Sequence, residues 1–133
     1  MQIYSKGDIH LTLEAFYQKI GSNYDDVLKR LLSEKLIISF VIRFLEDDSF
    51  DKLCQALDKM DYDTAFNYAH NLKGLAQNLG FDNLAKSAGN ISEILRSDNK
   101  DILKISHTLI NDVTFDYIEV KSAIIALKKK IDI

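Results

Sequence analysis

The sequence predicts an all-α protein, an antiparallel up-down four-helix bundle with additional short N-terminal helices. Three observations carry that expectation. Apolar residues recur three and four positions apart along nearly the whole chain, which is the helical period. No stretch shows the alternation of a half-buried strand. The 133 residues include no proline and only five glycines, whereas an all-β protein built on tight turns carries more of both.

The elements follow in order. Leu13, Phe16, Tyr17 and Ile20 form the apolar face of a first short helix, Leu11 to Ile20, which Gly21 ends. Ser22 and Asp25 form a capping box for a helix over Tyr24 to Leu32. Ser33 caps the next, Glu34 to about Glu46, with Leu36, Ile37, Phe40, Val41, Phe44 and Leu45 as its apolar set. Asp47, Asp48 and Ser49 break the pattern. Leu53, Ala56, Leu57 and Met60 share one face of a helix over Phe50 to Met60. The following helix runs from about Asp63 to Leu79. Gly80 stands at its C′ position, and Phe81 is the apolar residue that folds back over such a cap. Asp82 caps a helix ending near Arg96, and Ser97-Asp98-Asn99 is a polar break. The last helix spans about Asp101 to Lys129, bent or interrupted near Asp112 to Thr114. Short breaks make sequential helices antiparallel neighbours. Lys128-Lys129-Lys130 ends the last helix, where positive charge complements the helix dipole.

Length and the absence of a linker point to a single domain over residues 1–133. A 47% hydrophobic and 28% charged composition is that of a globular chain. A net charge of −3 disfavours nucleic acid as a partner, because phosphate binding needs a cationic surplus. Cys54 is the sole cysteine, so neither an intramolecular disulfide nor a multi-cysteine metal site can form. No apolar run reaches membrane-spanning length, and MQIYSKGDIH lacks the pattern of a secretory leader. A cytoplasmic setting without membrane association is expected.

The chemistry concentrates in residues 65–80. At about 100° per residue, Ala65, Tyr68, Ala69, Leu72, Leu75, Ala76 and Leu79 fall on one broad inward face. His70, Lys73, Gly74 and Gln77 cluster on the opposite face, with Phe66 among them. Gly74 is anomalous, since glycine in an exposed helix interior costs about 1 kcal/mol relative to alanine. Close approach by another molecule accounts for it, because the missing side chain opens the backbone beside the imidazole. An exposed imidazole is partly neutral at pH 7 and hence nucleophilic. Lys73, at i+3, can pair with the negative charge of a phosphoryl group on His70. Gln77 can orient the ring or donate to phosphoryl oxygens. Phosphoryl transfer needs little beyond positioning and charge neutralisation.

Ala69-His70-Asn71-Leu72-Lys73-Gly74, followed by Ala76, Asn78, Leu79 and Gly80, resembles the signature of histidine-containing phosphotransfer domains. The similarity covers about residues 11–97, with a motif core near 34–97. The final helix matches by type rather than by motif. Leu13-Glu14-Ala15-Phe16-Tyr17, with Gly21 and Tyr24, resembles the stand-alone bacterial form. The resemblance implies a four-helix bundle in two-component phosphorelay signalling. His70 is then the phosphoacceptor, Lys73 its charge partner, and Gly74 the clearance for a docking receiver domain. Gln77 contacts the imidazole or the phosphoryl group, and Phe66 and Asn67 join the partner surface. Asn71 stands where many members have Ser or Thr, on a face turned away from His70. The implied function is that of a phosphorelay carrier without autokinase or ATPase activity. It accepts a phosphoryl group from a receiver-domain aspartyl phosphate and passes it to another receiver. The partners implied are response-regulator receiver domains and hybrid sensor kinases. No cofactor of the chain's own is implied, since magnesium belongs to the receiver's aspartate pocket. The exposed His70 face favours a monomer, or a dimer that leaves that face free. The alternative is a helical interaction module that binds receivers or other signalling partners without carrying phosphate.

Other residues read as structural. His107 lacks lysine at i+3 and glycine at i+4, where Ile110 and Asn111 stand. His10 precedes the first helix and is expected in solvent. A zinc site from His10, His70 and His107 would require three remote segments to converge. Cys54 reads as a small core residue. Asp47, Asp48 and Asp51 lack the glycine and ligand spacing of a calcium loop. Ala85, Ser87, Ala88 and Gly89 read as small residues for close helix packing.

Overall fold

The computed structural model describes residues 6–97 and 107–131. Among the described residues the regular structure is entirely helical. Helices α1 (Lys6–Lys19), α2 (Tyr24–Leu31) and α3 (Glu34–Arg43) precede a 3₁₀ turn, Phe44–Glu46. Then come α4 (Ser49–Asp58), α5 (Tyr62–Leu79), α6 (Asp82–Arg96) and α7 (His107–Ile131). Residues 101–106 of the expected last helix, and Asp98 and Asn99 of the expected break, lie outside the described residues.

Helix α5 packs between α4 and α6, and α6 packs on α7. Asn71 of α5 meets Ser49 at the start of α4, while Lys73 of α5 lies against Gly89 in the middle of α6. The short connections between these packed helices make α4, α5 and α6 successive antiparallel neighbours. The Phe50 and Tyr117 rings stack at 4.2 Å and 10°, joining α4 to α7. The shorter helices α1 and α3 pack on α7.

The core joins these layers. Val41 of α3, Leu53 of α4, Leu72 of α5, Leu84 and Ile91 of α6, and Ile124 of α7 are all buried. An aromatic chain continues it to the N-terminal helices. Phe81 meets Phe16, Tyr17 and Phe44 edge-on or tilted, and Phe44 reaches Tyr117.

Several boundaries differ from the sequence expectation. Helix α1 begins at Lys6, five residues before Leu11, so His10 lies within it rather than ahead of it. His10 is half-buried, with Nδ1 3.0 Å from the Glu34 carboxylate. Asn23, not Ser22, caps α2 by accepting from the Asp25 and Asp26 amides. The Ser22 hydroxyl instead accepts from the Asp82 amide, so Asp82 is the first residue of α6 rather than its cap. Asp61 caps α5 through the Thr64 amide, starting that helix at Tyr62. Helix α7 runs without a break through Asp112 to Thr114, where the Thr114 hydroxyl donates to the Ile110 carbonyl. Ser33 caps α3 as expected. Gly80 closes α5 in the left-handed conformation, φ 78°, with the Phe81 amide donating to the Ala76 carbonyl and the Phe81 ring buried.

Candidate functional site

Helix α5 is anchored from three sides. Ala65, Ala69, Leu72, Ala76 and Leu79 are buried along its inner face. The three alanines among them let neighbouring helices come close. Three of its last carbonyls are met by side chains of other helices. The Tyr17 hydroxyl of α1 donates to the Leu79 carbonyl at 2.7 Å. Arg30 of α2 donates to the Gln77 and Asn78 carbonyls at 3.1 and 3.3 Å. A left-handed Gly80 is required there, because a Cβ would overlap Val27. These contacts fix the pitch and rotation of the helix, and with them the direction of its outer face.

On that outer face His70, Gly74, Gln77 and Asn67 are exposed. The His70 ring stacks on Phe66, one turn earlier, at 5.7 Å between centroids and 14° between planes. Phe66 is half-buried and packs against the rim of the core, so it supports the imidazole from below. At Gly74 a Cβ would meet no atom within 4 Å, leaving the backbone beside His70 open.

Lys73 differs from the expectation of a fully exposed cation. It is half-buried, with Cδ and Cε 3.5 Å from the position a Cβ would occupy at Gly89 on α6. Its stem lies along the neighbouring helix. Gly89 thus meets α5 through the Lys73 stem, while Ala85, Ser87 and Ala88 are buried. Asn71 turns away from His70, as expected, and its amide donates to the Ser49 hydroxyl at 2.6 Å.

Sequence reasoning missed Arg30 and Tyr17, which hold the end of α5. Their partners lie 47 to 62 residues along the chain, and no local signal marks them. The remaining histidines are elsewhere. His10 sits in a cluster with Glu34 and Tyr24, whose hydroxyl donates to the same carboxylate, and His107 is exposed at the start of α7. Among the described residues, no three His, Cys, Asp or Glu side chains come together in a metal-binding arrangement. Cys54 is half-buried rather than fully in the core, and burial together with Asp51 and Asp58 pushes its thiol up.

The molecule is a helical bundle that presents its chemically equipped residues on an open helix face rather than in an enclosed cavity. The family model for the Hpt domain matches residues 43–128, most of the chain, and the chain belongs to that family. The matched range starts later than the motif core read from the sequence and extends well into α7. Members of this family are phosphocarriers of two-component signalling, working with receiver domains and kinases. No curated protein and no solved structure matches the chain. Among the described residues no helix is long and apolar enough to cross a membrane.

Proposed function

We propose that the chain is a phosphorelay carrier with His70 as its phosphoacceptor. The observation that carries this reading is the open backbone at Gly74, one turn from an exposed and ring-stacked His70, on the helix the rest of the fold immobilises. A receiver domain can bring its aspartyl phosphate to that clearing without meeting a side chain.

The neutral imidazole attacks phosphorus through its unprotonated ring nitrogen. The N–P bond forms as the aspartyl O–P bond breaks, and the electron pair leaves on the receiver's carboxylate. Phe66 limits the ring's rotation, which favours in-line attack. The Lys73 ammonium neutralises charge on the equatorial oxygens. Gln77, one turn beyond Gly74, offers an amide to the phosphoryl group, and Asn67 and Phe66 extend the contact surface. Reversal of the same step delivers the group to a second receiver. The magnesium belongs to the receiver's pocket, and this chain contributes no cofactor and no nucleotide chemistry. The exposed face suits a monomer docking one receiver at a time in the cytoplasm.

The test is label transfer from a phosphorylated receiver domain to wild type and to His70→Gln. Wild type takes up acid-labile, alkali-stable label and His70→Gln, with unchanged helicity, takes up none. Equal labelling of the two would refute the site. Receiver binding without any uptake, indifferent to His70, would instead favour a non-phosphorylated interaction module.

A further inference from the structure

Two glycines interrupt helix interiors at this surface, and the structure treats them differently. Around Gly74 there is open space, while the three nearest heavy atoms to a Cβ at Gly89 all belong to Lys73: Cδ and Cε at 3.5 Å and Cγ at 4.0 Å. A Cβ at Gly89 would stand at ordinary van der Waals distance from that stem, so alanine also fits there. No backbone atom of another helix is as near as the Lys73 stem. We infer that Gly89 is the positioning residue of Lys73: the gap it leaves on α6 is a groove that holds the lysine stem and sets where the ammonium stands relative to His70. Lys73 and His70 lie three residues apart on α5. A lysine free in solvent would sample many rotamers, and ordering its stem beforehand removes that loss from the transfer step. An alanine at 89 makes ordinary contact with the stem. A larger side chain fills the groove and displaces it.

The inference rests on the phosphocarrier reading for its functional consequence, and its geometry can be tested separately. Transfer from a charged receiver is timed for wild type, Gly89→Ala, Gly89→Leu, Lys73→Ala and the Lys73→Ala/Gly89→Leu double variant, with melting curves to show that each is folded. Gly89→Ala transfers close to the wild-type rate. Gly89→Leu slows transfer as much as Lys73→Ala does, about tenfold, the loss of one charge-assisted contact. The double variant is no slower than Lys73→Ala alone. Wild-type transfer by Gly89→Leu overturns the inference, and so does an equal slowing by that change when Lys73 is absent. If wild type takes up no phosphoryl group, it is the phosphocarrier reading that fails. The geometry is then decided by nuclear Overhauser contacts between the Lys73 Hδ and Hε protons and the Gly89 Hα protons. Contacts present in wild type and lost in Gly89→Leu uphold the positioning, and their absence from wild type overturns it.

Discussion

His70 is one of three histidines, and what separates it from the others is its surroundings rather than its exposure alone. His10 is engaged by Glu34, and His107 is exposed but has no glycine or lysine on the following turn. The pattern His70, Lys73, Gly74 was legible because all three lie on one helix, where spacing dictates placement. The support from Phe66 was legible as proximity only, because stacking depends on how far Phe66 sinks into the rim of the core. The grip of Gly89 on Lys73 was not legible, since it requires the register of α6 against α5. At this scale, Gly74→Lys leaves helicity unchanged and weakens receiver binding by at least about tenfold, measured by titration calorimetry, because a side chain then fills the cleared surface. Unimpaired binding by that variant contradicts the clearance argument. Cys54 gives a second prediction. Its thiol is held protonated by burial first and by Asp51 and Asp58 next, so alkylation at pH 8 is slower in the folded protein than in urea.

Helix α5 is the element on which the account depends, and its ends are held by other helices. The Tyr17 hydroxyl on the Leu79 carbonyl is a buried hydrogen bond, and Tyr17→Phe leaves that carbonyl unpaired. Denaturant unfolding should show a loss of about 1–2 kcal/mol. Arg30→Ala, which removes exposed contacts to Gln77 and Asn78, should lose less. Gly80→Ala combines a left-handed backbone with overlap on Val27, and a loss above about 2 kcal/mol is expected. Met60 ends α4 in the left-handed region at φ 57° with its side chain exposed. Met60→Gly should therefore raise stability, by about 1 kcal/mol. Boundaries marked by Ser33 and Gly80 were legible because a single residue type satisfies a defined local geometry. Ser22 and Asn23 were not distinguishable, since both side chains can cap. Only the tertiary partner, Asp82 far along the chain, assigns Ser22 elsewhere. The early start of α1 was hidden by the polar segment Lys6 to His10. Helix α7 continues through the polar residues that suggested a break, and the Thr114 hydroxyl is taken up by the Ile110 carbonyl within the helix.

The whole molecule is a bundle whose N-terminal helices are joined to it through aromatic rings. Tyr17 and Tyr24 stack at 5.4 Å, and Tyr17 also meets Phe81. Burial raises the ionisation of both tyrosines well above the ordinary value of 10.0, with Glu34 adding to the effect at Tyr24. A group whose folded value exceeds its unfolded value contributes stability that is complete below the unfolded value and lost as pH rises beyond it. Thermal stability is thus expected to hold to about pH 10 and to fall above it. Tyrosinate absorbance from Tyr17 and Tyr24 should appear only together with the loss of helical circular dichroism. Ionisation of all six tyrosines with the helices intact would contradict this packing. The bundle class was legible from periodicity, which local sequence carries in full. The joining of α1 and α2 to the end of α5 was not, because it is made by contacts between segments about 60 residues apart, such as Tyr17 with Leu79 and Ser22 with Asp82.

The central claim, that His70 alone carries the phosphoryl group, is tested most directly by observing all the imidazole nitrogens in the intact protein. Long-range proton–nitrogen spectra would be recorded before and after charging by a phosphorylated receiver domain, with phosphorus coupling as the marker. The account predicts that one ring nitrogen of His70 shifts and acquires coupling to phosphorus, while His10 and His107 keep their tautomer patterns. Phosphorus coupling at His10 or His107, or an unchanged His70 while the receiver transfers its phosphoryl group to the protein, would contradict it.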